Sequence, residues 1–119
     1  NIFTYSAVIN CWSKSNRPEG PSRALDILET MITKYKDNGN TNIRPDTITY
    51  NTVMNTHAKQ GDIDGINKVF TMMKEDYYSG NIDSKPNIRT YNTIIDAWSK
   101  SNNPNAPLHP RKLNLCYWK

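Results

Sequence analysis

The chain has 119 residues, 36% of them hydrophobic and 22% charged, and its 15 Lys and Arg exceed its 11 Asp and Glu to give a formal net charge of +4. A pI of about 9.1 permits nucleic-acid binding without selecting it, and no apolar run approaches the ~18 residues of a membrane span. Two cysteines, Cys11 and Cys116, build no disulfide framework, match no zinc spacing and point weakly to a reduced compartment.

Asn1 stands where a natural chain would carry Met, and a repeated pattern is already running at Thr4, so the natural N-terminus and any targeting segment are expected upstream. Thr4-Tyr5-Ser6-Ala7-Val8-Ile9-Asn10 returns as Thr49-Tyr50-Asn51-Thr52-Val53-Met54-Asn55 and as Thr90-Tyr91-Asn92-Thr93-Ile94-Ile95-Asp96. The three tyrosines are 45 and 41 residues apart, and Trp12-Ser13-Lys14-Ser15-Asn16 recurs unchanged at Trp98-Ser99-Lys100-Ser101-Asn102. Similarity at this period marks a stacked repeat array.

The first copy predicts an amphipathic helix over about Phe3 to Lys14, with Tyr5, Val8, Ile9 and Trp12 at i, i+3, i+4 and i+7. The same offsets give Tyr50, Val53, Met54 and His57 in the second copy, then Tyr91, Ile94, Ile95 and Trp98 in the third. Asn1, Asp46 and Asn87 precede these helices as N-cap residues. Ser15 to Pro21 reads as a turn, and a second helix is expected from about Ser22 to Tyr35, presenting Ala24, Ile27, Leu28, Met31 and Tyr35. A polar loop follows to Pro45. In the middle unit Gly61 ends the first helix. Its second helix, about Ile63 to Asp76, presents Ile66, Val69, Phe70, Met73 and Tyr77, and a loop from Ser79 runs to Pro86. Matching apolar faces on successive helix pairs are what stacking units need to bury a continuous core. The third unit departs from the pattern: an offset of 86 puts Pro110 opposite Ala24, where it would break a second helix. Trp98 is expected to be buried against its neighbours, or about half exposed if no such helix stands behind it.

Pro45-Asp46-Thr47-Ile48-Thr49-Tyr50-Asn51 through Gly61, and Pro86-Asn87-Ile88-Arg89-Thr90-Tyr91-Asn92 through Asp96, resemble the opening of a pentatricopeptide repeat. The Trp and Leu-Gly of the related tetratricopeptide pattern are absent. The resemblance covers residues 1 to about 107 and implies an all-α fold, helix-turn-helix repeats stacked as a right-handed α-solenoid. On it, residues 1–46 form one repeat, 47–87 a second, 88–107 the first helix and turn of a third, and 108–119 a divergent tail. Spacings of 45 and 41 exceed the usual ~35-residue repeat. The excess falls in surface turns, where insertions cost little.

The resemblance further implies single-stranded RNA as partner, one base per repeat. The residue after each repeated Tyr and the residue closing the repeat would read the base edge: Ser6 with Asp46, Asn51 with Asn87, and Asn92 without a partner. Family usage gives guanine for a Ser–Asp pair and a pyrimidine for Asn–Asn, so the chain would read 5′-G-pyrimidine-pyrimidine. Phe3, Ile48 and Arg89, two residues before each Tyr, would stack against bases. Without the resemblance, Asp46 and Asn87 read simply as N-caps, and Ser6, Asn51 and Asn92 as solvated polar residues of a first turn.

No catalytic or metal constellation is present, and no cofactor or small-molecule substrate is implied. His57 occupies the packing position of Trp12 and Trp98 and is expected in the core, while Asp62-Ile63-Asp64-Gly65 lacks the further ligands of a calcium loop. The expected function is modular single-stranded RNA binding in RNA processing, stability or translation, with a mitochondrial or plastid location taken from the family. The substrate-binding arm of a protein-only RNase P and a helical protein-interaction scaffold are the alternatives.

Overall fold

The computed structural model describes residues 2–39 and 41–100. Five α-helices occupy most of them: α1 (Ile2–Ser15), α2 (Gly20–Asn38), α3 (Thr47–Lys59), α4 (Ile63–Tyr78) and α5 (Ile88–Lys100). Short 3₁₀ turns at Thr41–Ile43 and Ile82–Ser84 lead into the two prolines before α3 and α5, and no strand occurs among the described residues. Neighbours in sequence pair as α1 with α2 and α3 with α4, and α3 also packs on α1, α2 and α5. The all-α stacked-pair architecture of an α-solenoid is therefore the fold, with α3 at its centre. The third unit's second-helix region and the tail lie outside the described residues, as does Asn1.

Local signals explain where the helices begin and end. Pro21 stands at the start of α2, where its missing N–H costs nothing. A Cβ on Gly20 would sit 3.0 Å from the Trp12 carbonyl, so glycine lets α2 start hard against the end of α1. These two residues, read as part of a turn in the sequence, belong to the helix. At its other end α2 runs on to Asn38 and stops at Gly39, which is left-handed at φ 63°. Asp46 caps α3 by accepting from Thr49 N at 2.9 Å, and Asp62 caps α4 by accepting from Gly65 N at 3.0 Å. The faint calcium-loop pattern is thus a helix N-cap. Gly61, just past α3, has φ 68°.

The core joins Ile9, Ala24, Leu28, Met31, Tyr50, Val53, Met54, Ile66, Val69, Phe70, Met73, Ile94, Ala97 and Trp98. His57 is buried with them, its Nδ1 2.9 Å from the Val53 carbonyl. One burial expectation is corrected. Val8 is 42% exposed although Val53 and Ile94 at the matching positions are fully buried. Those two stand on helices that pack on a preceding pair, α3 on α1 and α2 and α5 on α3, whereas among the described residues none precedes α1. Trp98 is 3% exposed, the buried one of its two expected states, because α5 seats it in the shared core beside α3 and α4.

A buried polar network locks the centre. Tyr50 Oη donates to Asp76 Oδ2 at 2.8 Å, and Asn81 Nδ2 lies 2.9 Å from both that oxygen and the Pro45 carbonyl. Burial, then the Asp76 carboxylate, pushes the Tyr50 hydroxyl far above its ordinary pKa. The two inter-unit loops are also tied to each other. Arg44 pairs with Asp83, and Thr47 Oγ1 lies 2.9 Å from the Asp83 carbonyl and 2.7 Å from that of Lys85.

Candidate nucleic-acid interface

The stretch Pro86-Asn87-Ile88-Arg89-Thr90 turns the chain into α5, and it brings Asn87 beside Asn51 of α3. Asn51 Nδ2 donates to Asn87 Oδ1 at 3.2 Å across a sequence separation of 36. Asn87 Oδ1 also accepts from Thr90 N at 3.1 Å, the N-cap bond of α5, while Asn87 N donates back to Thr90 Oγ1 at 3.0 Å. Thr90 Oγ1 in turn donates to Asn51 Oδ1 at 2.6 Å. Asn87 is solvent-exposed and Asn51 half-buried, so the pair is anchored from behind and open in front. The N-cap and the pairing with Asn51 are properties of the same Asn87 side chain, and neither excludes the other.

The corresponding first-unit residues are arranged differently. Asp46 Oδ1 accepts from both Thr49 N and Thr49 Oγ1 at 2.9 Å, which leaves Oδ2 without a hydrogen bond to any described residue. Ser6 is half-buried on α1, and no hydrogen bond joins it to Asp46. What converges there is the set around the carboxylate. Phe3, Ile48 and Asp46 line one open cavity of about 760 Å³, together with Ile2, Arg44 and Thr47. Phe3 is 80% exposed and Ile48 73% exposed, so both present large apolar side chains to solvent at this cavity. Arg89 is exposed at the start of α5. Asn92 lies on α5 in a second open cavity of about 500 Å³ that it shares with Asn55, Ala58 and Asp96, and it has no closing partner among the described residues.

Thr90 and Arg44 were not singled out from the sequence. Their signals are the spacing of an N-cap residue and a Thr three positions on (Asp46 with Thr49, Asn87 with Thr90), and a basic residue two positions before the closing Asp. Lys59 donates to the Ser13 carbonyl at 3.2 Å and so ties α3 to the end of α1. Among the described residues no group of three or more His, Cys, Asp or Glu is placed to hold a metal ion, and no helix is long and apolar enough to cross a membrane.

Two successive helix pairs with the recurring Tyr and its following polar residue at equivalent places have a counterpart among known proteins. Residues 34–101 match the family described as Pentatricopeptide repeat domain, and residues 3–35 match the one described as PPR repeat. The chain belongs to the pentatricopeptide repeat family. A pentatricopeptide repeat-containing protein of Arabidopsis thaliana is 28% identical over 76 residues, which are 64% of this chain and 9% of that protein. This pentatricopeptide chain therefore spans a small part of the length of the relative it matches. No solved structure matches it. Members of the family in general bind RNA, are non-enzymatic and are commonly organellar.

Proposed function

We propose that this pentatricopeptide chain binds single-stranded RNA one base per helix pair, along the edge where the N-terminal turns of α1, α3 and α5 succeed one another. The observation that carries the reading is the Asn51–Asn87 pair: two amides from different units, hydrogen-bonded at 3.2 Å with open solvent before them. Ile48 and Arg89, each two positions before a repeated Tyr, would stack on either side of the base that this pair reads. Phe3 and Ile48 would do the same in the first unit, where Asp46 keeps one carboxylate oxygen available. Guanine suits that oxygen because its Watson–Crick edge offers N–H donors. Ser6 would admit the purine without bonding Asp46. Asn92 would begin a third base site. Organellar RNA processing, stability or translation is the biological setting that we infer, with mitochondrion or plastid as the compartment.

The test is competition binding of the 119-residue chain to RNAs that differ only at the base facing the first unit. Guanine is expected to be preferred, and Asp46→Asn is expected to move preference toward adenine, by about 1–3 kcal/mol of discrimination. The same base preference in both proteins would leave Asp46 an N-cap and nothing more. Equal binding of double-stranded and single-stranded RNA would end the reading as a whole.

A further inference from the structure

The loops that close the two units match each other in sequence. Gly39-Asn40-Thr41-Asn42-Ile43-Arg44-Pro45-Asp46 has its counterpart in Gly80-Asn81-Ile82-Asp83-Ser84-Lys85-Pro86-Asn87, and part of the excess over a ~35-residue repeat lies in them. The second loop is no free excursion, because it is fastened to all three residues that flank Asp46. Asn81, 1% exposed, donates from Nδ2 to the Pro45 carbonyl and to Asp76 Oδ2, both at 2.9 Å. Arg44 pairs with Asp83, and Thr47 Oγ1 lies 2.9 Å from the Asp83 carbonyl and 2.7 Å from that of Lys85. Asp83 also lines the cavity of Asp46, Phe3 and Ile48, and so it borders the first unit's site although it belongs to the second unit. Asn87, which directly follows this loop, is held instead by Asn51 and Thr90.

We infer that the closing loop of the second unit, residues 81–85, is a working part of the first unit's base site, with Asp83 as a positioning residue that acts on Asp46 through Arg44; the inference rests on the base-reading role proposed above. A recognising side chain discriminates only while it is held within about 0.5 Å of its productive geometry. Thr49 fixes Oδ1 of Asp46 relative to α3, at 2.9 Å from both its N and its Oγ1. The chain that carries Asp46 into α3 needs a second support, and loop 81–85 supplies it from the solvent side through Arg44 and from the core through Asn81. The units are thereby linked in series: the reader that closes one unit is held by the loop that closes the next.

The experiment is competition binding of the full 119-residue chain to single-stranded RNAs varied one base at a time at the positions facing the first and the second unit. Asp83 is the residue to change, because its side chain is 52% exposed and its removal opens no space in the core. Asp83→Ala is expected to lower the preference for guanine over adenine at the first position by about threefold or more. The preference for pyrimidine over adenine at the second position is expected to stay within about twofold of the wild type. The lost charge acts on every RNA alike and cancels in each ratio. Asp83 stands four positions before Asn87 and 37 after Asp46, so a disturbance carried only along the chain would fall on the second position instead. Asp83→Glu keeps a carboxylate for Arg44 and is expected to keep the first-position ratio. An unchanged first-position ratio in Asp83→Ala overturns the inference, and so does a loss of equal size at both positions. If the wild type itself shows no preference for guanine at the first position, the base-reading role falls, and the inference falls with it.

Discussion

At the scale of single residues, Tyr5, Tyr50 and Tyr91 hold one position in the repeat and meet three different environments. Lys34 Nζ donates to the Tyr5 hydroxyl at 3.1 Å, Tyr50 donates to buried Asp76 at 2.8 Å, and the buried Tyr91 hydroxyl has no hydrogen-bond partner among the described residues. A hydroxyl that is desolvated without a bond contributes nothing that its removal would lose, whereas one satisfying a buried carboxylate leaves that charge short of a donor when deleted. Tyr50→Phe is therefore expected to lower stability by about 1–3 kcal/mol in urea melts, and Tyr91→Phe by less than about 0.5 kcal/mol. Equal losses would show that the Asp76 network does not hold the centre. The repeated tyrosines were legible in the sequence, but these partners were not. Lys34 and Asp76 lie 29 and 26 residues from their tyrosines and carry opposite charges, so no shared residue type marks the position. The proposed readers show the same limit. Asn51 and Asn87 were named through the resemblance, whereas the Thr90 hydroxyl that lies 2.6 Å from Asn51 Oδ1 and 3.2 Å from Asn87 Oδ1 was not, because three-dimensional packing brings it there.

At the scale of elements, the helical faces were readable because a 3.6-residue period leaves few ways to place Tyr50, Val53, Met54 and His57 except on one side. The cap Asp46 and the stop at Gly61 followed from chemistry confined to a single turn, whereas Asp62 was weighed only within a calcium-loop pattern and its capping of α4 was missed. Periodicity says which face is apolar and not whether a neighbour covers it, which is why Val8 was placed in the core with Val53. Their different burial has a measurable consequence. Val53→Ala opens space in a fully buried site and is expected to cost about 1–3 kcal/mol, while Val8→Ala, at a 42% exposed site, is expected to cost less than about 0.5 kcal/mol. Thermal or urea melting of the two single variants reads this directly, and a Val8→Ala loss as large as that of Val53→Ala would mean that α1 is covered on its outer side. His57 follows the same logic of close fit. A Cβ on Gly65 would run into the His57 and Asp62 side chains, so the start of α4 is shaped around a packed histidine.

At the scale of the molecule, α3 touches both neighbouring units, and the Arg44–Asp83 and Thr47–Asp83 contacts tie the loop before α3 and its first residue to the loop before α5, so the proposed base sites sit on a frame whose parts are mutually fixed. A rigid frame limits the entropy lost on binding, but the number of sites limits the energy gained. On the proposed reading, two units carry a pair of readers each, and a third begins at Asn92. A base-edge contact discriminates by about 1–3 kcal/mol and stacking adds about 1–3 kcal/mol per base. Two complete sites thus offer roughly 4–12 kcal/mol, against an association cost of several kcal/mol or more. The 119-residue chain is accordingly expected to bind a 5′-G-pyrimidine-pyrimidine-3′ RNA with a Kd no tighter than about 1 μM, where −8.2 kcal/mol would be required. Calorimetric titration at low salt gives the value, and repetition at higher salt separates the phosphate share, because each neutralised phosphate steepens the logarithmic salt dependence by about 0.7 on a single strand. Nanomolar affinity would mean that contacts other than these two base sites dominate, and a steep salt slope with no dependence on base would assign them to the phosphates rather than to Asp46, Asn51 and Asn87.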